Sequence, residues 1–139
     1  MYFSGIESIS IQISPDKEGI LGPSNLQLRC NYTLGSGEYI FTSNIQAKID
    51  NEFVNIAYFG IIFGKDPVFL SNGTYLSSRA NLSNPTSSLP DTYISILTFN
   101  QIKCEDETEY RCLVSIVTNG ITYKPTSVAT SLVVRGKYT

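Results

Sequence analysis

The most constraining stretch of this chain runs from Ile102 to Cys112: Ile102, the turn Cys104-Glu105-Asp106-Glu107, then Glu109, Tyr110, Arg111 and Cys112. An Asp, a Tyr four residues on and a Cys two further is a demanding pattern. It reads as an apolar anchor, an acidic turn and a strand. Tyr110 and Cys112 share one face of that strand, because successive strand side chains point to opposite sides. The rest of the chain must supply a core for that face.

Period-two alternation recurs elsewhere and predicts half-buried strands. Ile9, Ile11 and Ile13 alternate with Ser10 and Gln12, and Leu26, Leu28 and Cys30 with Gln27, Arg29 and Asn31. Ile45, Ala47 and Ile49 alternate within 41–49, and the apolar run 53–63 predicts one or two strands more. Further strands are expected at 75–82, with Ala80 and Leu82 inward and Asn81 outward, at 92–99, at 109–117, and at 121–134 with a bend at Pro125. Pro15 and the segment 19–23 break the first strand, while 35–37 and 84–90 read as loops. Asn119-Gly120 between two β-rich runs is a hairpin signal. No window shows helical periodicity and no segment repeats. The 139 residues suit one domain, expected over 1–134, with 135–139 beginning a linker.

Taken together, Leu97, Phe99, Ile102, Asp106, Tyr110 and Cys112, with Cys30 and Arg79 upstream, resemble the immunoglobulin superfamily, in particular a variable-type domain of a divergent invertebrate immune or adhesion receptor. The resemblance covers nearly the whole chain. It implies an all-β fold: a two-sheet antiparallel sandwich with extra C′ and C″ strands. It makes Tyr110 the tyrosine corner and assigns Arg79 and Asp106 to a structural salt bridge. It also pairs Cys30 with Cys112; the other reading is a pair of reduced, buried cysteines. The family's strand C carries a Trp packed on that disulfide. This chain has no Trp, so Ile45 or Ala47 takes the position and Phe41, Phe53 or Phe99 is expected to refill the core.

Cys104 is left over as a free or intermolecular thiol. Asn31-Tyr32-Thr33, Asn72-Gly73-Thr74 and Asn81-Leu82-Ser83 match the N-glycosylation signal, and Pro85 excludes Asn84. These signals agree with an oxidising, extracellular setting. All three would decorate one sheet or its edge. The opposite sheet, G-F-C-C′, is then the expected contact surface, with Tyr58, Ile116, Asn119 and Tyr123 as interface candidates.

Several function classes have little support. Charged residues make up 16% of the chain, below the roughly 25% usual for globular chains. The net charge is −2 with no basic run, so a nucleic-acid footprint is missing. His is absent, which removes the usual general base and the commonest metal ligand. The stretch 60–66 is a near miss to a phosphate loop, and the acidic cluster Glu105, Asp106, Glu107 and Glu109 lacks calcium-loop spacing. No enzyme, cofactor or metal is expected. No apolar run is long enough to cross a membrane. Met1-Tyr2-Phe3 lacks the features of a secretory leader, so the chain reads as a domain taken from a longer protein. The expected role is extracellular recognition or adhesion on a cell surface or in a secreted protein. The partner would be a protein or a second copy of the chain. The alternatives are a soluble immune component binding microbial or carbohydrate ligands, and a structural spacer.

Overall fold

The computed structural model describes residues 10–61, 65–89 and 91–136. The expectations that fall on 1–9, on 62–64, on Pro90 and on 137–139 lie outside the described residues, including much of the near miss to a phosphate loop. The alternating segments form strands that pair into two antiparallel sheets. In one, β1 (Ser10–Pro15) pairs with β3 (Gly22–Thr33), β3 with β8 (Thr92–Ile102), and β8 with β7 (Ala80–Leu89). In the other, β10 (Ile121–Tyr123), β9 (Thr108–Thr118), β4 (Tyr39–Ile49), β5 (Glu52–Gly60) and β6 (Val68–Phe69) lie side by side in that order. Strand β11 (Thr130–Leu132) also pairs with β9. After Pro15 the chain leaves the first sheet, and β2 (Gly19–Ile20) runs parallel to β12 (Val134–Arg135).

The facing sides enclose one core. Leu26, Leu28 and Cys30 of β3, Leu97 and Phe99 of β8, Ile45 and Ala47 of β4, and Tyr110, Cys112 and Val114 of β9 are fully buried. Cys30 and Cys112 are joined across the sandwich with their Cα atoms 6.1 Å apart. Ile45 stands opposite Cys112 in the β4–β9 ladder, where the resemblance places a Trp. Of the expected replacements Phe99 supplies part of the missing volume, while Phe41 is half-buried. Phe99 is buried and meets Tyr110 edge-on at 6.4 Å. Phe59 of β5 and Tyr32 of β3 are also buried. Phe53 instead lies on the outside of the sheet, under Arg111. Tyr32 brings a hydroxyl into the core, and Ser95 (2.7 Å) and Ser43 (3.3 Å) bond to it from β8 and β4. That triangle links the two sheets through hydrogen bonds, so its polar atoms are satisfied as buried groups must be.

Three segments differ from expectation for local reasons. Residues 75 and 76, expected to open the strand 75–82, belong instead to a 3-10 turn, Ser71–Leu76. Strand β5 has a bulge at Ile56, whose carbonyl accepts the Leu70 N–H at 2.9 Å. Gly73 seats against that carbonyl, where a Cβ would come within 2.1 Å of the oxygen. Residues 84–89, expected as loop, continue β7. Their ladder with β8 shifts register between Ser83 and Thr86, which accommodates Pro85, a residue with no N–H to donate. The last expected strand, 121–134, is divided into β10, an isolated bridge between Leu113 and Thr126, β11 and β12. At the break the Ser127 hydroxyl accepts the Cys112 N–H (2.9 Å) while the Ser127 N–H donates to the Cys112 carbonyl (2.9 Å). A side chain thus stands in for a lost backbone acceptor. Pairing runs as far as Arg135, which stands beside Ile20.

Candidate functional site: the outer face of the larger sheet

The acidic turn works as a clasp beneath the core. Residues Cys104–Asp106 form a single 3-10 turn whose Asp106 carboxylate faces inward and is completely buried. Arg79, in the turn just before β7 and 4% exposed, grips it with both terminal nitrogens, at 2.5 and 2.7 Å. Lys103 N–H adds a bond at 2.8 Å. Arg79 also reaches Glu105 at 3.2 Å and donates to the Gln101 carbonyl. Its hydrogen bonds to Asp106 hold the guanidinium's pKa above its ordinary value. The Tyr110 hydroxyl donates to the Asp106 carbonyl at 2.7 Å, the geometry of a tyrosine corner. Burial pushes the Tyr110 phenol well above its usual pKa and Tyr75 beside it up to about 12. Arg79, Asp106 and Tyr110 join the bottom of the sandwich and, being buried, cannot contact a ligand.

The outer face of the larger sheet is different. Alternation sends Tyr110, Cys112, Val114 and Ile116 of β9 inward, which leaves Arg111, Leu113, Ser115 and Val117 outside. Opposite them in β4 stand Gln46 across from Arg111, Asn44 across from Leu113, and Tyr39 across from Val117. Strand β5 adds Phe53, Asn55 and Tyr58. A polar ladder crosses the three strands. Arg111 Nε donates to Gln46 Oε1 at 2.7 Å, and Gln46 Nε2 donates to Asn55 Oδ1 at 2.9 Å. The guanidinium of Arg111 lies 4.1 Å from the centroid of the Phe53 ring, and Lys48 approaches the same ring at 5.8 Å while pairing with Glu109 at 3.5 Å. Asn44 donates to the Ala57 carbonyl at 3.1 Å. Gln46 and Asn44 are nearly buried on what is formally the exposed side, because their own neighbours cover them. The face is therefore fixed before any partner arrives.

Not every interface candidate lies on this face. Tyr58 does, half-buried beside Val68 of β6. Ile116 does not: it is 2% exposed and belongs to the core. Tyr123 pairs with Ile116, so it leaves the sheet on the core side. It is 46% exposed only because β10 overhangs the sandwich edge. Asn119 and Gly120 form the tip of the β9–β10 hairpin, both with positive φ, 52° and 76°, as a two-residue turn of the type that twists with its strands needs. The alternation of 41–49 and 109–117 already places Gln46 and Arg111 on the outward sides of their strands, whereas Tyr39 has the opposite parity to Gln46 and reaches the outer face only through the irregularity between Ile40 and Thr42. Their partners across strands depend on a register that sequence does not print.

Of the sequon asparagines, Asn72 is exposed in the turn Ser71–Leu76, Asn81 is exposed on edge strand β7, and Asn31 is half-buried within β3. Cys104 is exposed in the acidic turn and unbonded. Among the described residues no helix is long and apolar enough to cross a membrane.

No protein-family model and no curated protein matches the chain. Among solved structures it is similar to murine CRIg, with a TM-score of 0.68 over 91% of this chain and 98% of the CRIg chain, at 16% identity. At that identity the likeness is one of fold: the chain is an all-β, immunoglobulin-like sandwich of the variable type.

Proposed function

We propose that the chain is an extracellular recognition module that binds a protein through the outer face of the β10-β9-β4-β5-β6 sheet. The observation that carries this reading is the locked ladder Arg111–Gln46–Asn55 with Phe53 stacked beneath Arg111. Ordering side chains at an interface costs roughly 0.5–1.5 kcal/mol each, and here the sheet orders them beforehand. Tyr39, 67% exposed at the margin, is the aromatic type that anchors interfaces. Lys48 and Arg111 beside Glu109 give the face both signs of charge, which suits a second copy of the same chain as partner in adhesion. A membrane-anchored receptor of the invertebrate kind is the parent that the sequence resemblance implies. The sequons and the disulfide support an extracellular setting.

The test is sedimentation velocity over a wide concentration range, with the wild type beside a Tyr39→Ala, Arg111→Glu variant. Self-association that the variant abolishes supports the reading. A strict monomer at the highest concentration removes homophilic binding and leaves a different protein as the ligand. A soluble component binding microbial or carbohydrate ligands, or a spacer, would leave the face without a protein partner in either form.

A further inference from the structure

The turn Ser71–Leu76 holds the sequon Asn72-Gly73-Thr74 in an unusual position. Gly73 is buried against the Ile56 carbonyl, while Asn72 and Thr74 on either side are exposed. No Cβ fits at Gly73, so the turn cannot roll on β5, and the direction of Asn72 is fixed. Residues three apart eclipse in a 3-10 turn, which puts Tyr75 on the same side as Asn72. Beside them opens a groove of about 570 Å³, whose walls include Asn72, Tyr75, Lys48, Ile49, Glu105 and Thr108. That volume lies within the range of roughly 300–1,000 Å³ typical of small-molecule sites. The aromatic ring of Tyr75, with the Glu105 carboxylate and the Thr108 hydroxyl in the same walls, suits a pyranose. The sugar's C–H face packs on the ring and its hydroxyls bond to the polar groups. Arg79, 5.8 Å from the centroid of the Tyr75 ring, holds that ring in place.

We propose that this groove is the seat of the chain's own N-linked sugar, attached at Asn72 and folded back onto Tyr75. The inference rests on the extracellular reading above. The donor is an oligosaccharide carried on a lipid diphosphate. A bond forms between Asn72 Nδ2 and the anomeric carbon, the bond from that carbon to the phosphate oxygen breaks, the amide loses a proton to a base of the transferase, and the lipid diphosphate leaves. Asn31 and Asn81 lie in strands, where side chains stand roughly perpendicular to the sheet, so sugars there project into solvent. The sugar at Asn72 instead lies along the protein and closes the groove between the turn Ser71–Leu76 and the acidic turn Cys104–Asp106.

The test compares one preparation with itself. The full chain is secreted from animal cells, its glycopeptides are mapped by mass spectrometry, and amide hydrogen exchange is followed before and after enzymatic removal of the sugar. With the sugar present, amides of 71–76 and 104–108 should exchange several-fold more slowly, and those of β1 and β7 should be unchanged. Thr74→Ala, which removes the sequon but not Asn72, should show the fast exchange, and Thr74→Ser should restore the slow. Sugar on Asn72 with no difference in exchange overturns the seating alone. Sugar on Asn31 or Asn81 with Asn72 bare overturns the proposal and leaves the extracellular reading standing. A secreted chain with no sugar on any sequon overturns the proposal and removes a support of that reading.

Discussion

Asp106 concentrates the polar energetics of the molecule in one carboxylate. It is fully buried and held by Arg79, by the Lys103 N–H and, through its carbonyl, by the Tyr110 hydroxyl. Removing one partner of a buried ion pair leaves an uncompensated charge, which costs about 3–5 kcal/mol. Arg79→Met should lower the stability of the chain by about that much in urea unfolding. Tyr110→Phe removes a single hydrogen bond and should cost about 1–3 kcal/mol, since it orphans a buried carbonyl. The same tyrosines set an alkaline limit. Burial raises the pKa values of Tyr32, Tyr75 and Tyr110 in the folded chain, that of Tyr75 to about 12 from 10.0. Once the pH exceeds 10 the unfolded phenols lose protons that the folded ones retain. The stability these groups contribute is whole below pH 10 and is lost as the pH rises toward 12. Circular dichroism during an alkaline titration should show unfolding begin in that window. The Asp106, Tyr110 and Cys112 constellation was legible because a turn and the strand after it are local. Arg79, 27 residues before Asp106, came from family resemblance.

Among the elements, the turn Ser71–Leu76 and the broken final strand depend on single contacts. Gly73→Ala would drive a methyl into the Ile56 carbonyl, so the turn must lift from β5. The expected loss is about 1–3 kcal/mol, the usual cost of overpacking, read as a lower urea midpoint. Ser127→Ala would strip the Cys112 N–H of its acceptor and should cost about 1–3 kcal/mol, with faster exchange of that amide. The bend of the final strand at Pro125 was readable beforehand; the Ser127 contact and the seating of the turn on β5 were not. Alternation says which residues share a side of a strand, but not where a bulge such as that at Ile56 turns a carbonyl toward a neighbouring segment. Tyr123 shows the same limit, since only the pairing of β10 with β9 sets it beside Ile116 on the core side. Ile116 does not: it has the parity of Tyr110 and Cys112, so alternation alone puts it in the core, and the expectation that it lies at an interface ran against that pattern.

For the molecule as a whole, the disulfide closes a separation of 82 residues. On the chain-entropy model a loop of this size is worth about 4 kcal/mol. Reducing it under native conditions should lower the unfolding midpoint accordingly, while the Tyr32–Ser43–Ser95 triangle still links the sheets. With no His in the chain, stability should be nearly flat across neutral pH, since no imidazole titrates there. Several determinants lay in the sequence itself: most of the strands, the inward facing of Cys30 and Cys112, and the acidic turn. Each follows from period two or from residues a few positions apart. The tertiary structure alone decided what replaces the missing Trp, which outward residues join into the Arg111–Gln46–Asn55 ladder, and that Asn72 borders a groove. Those outcomes depend on register between strands distant in sequence, and on packing volume shared by several strands. No local window contains either.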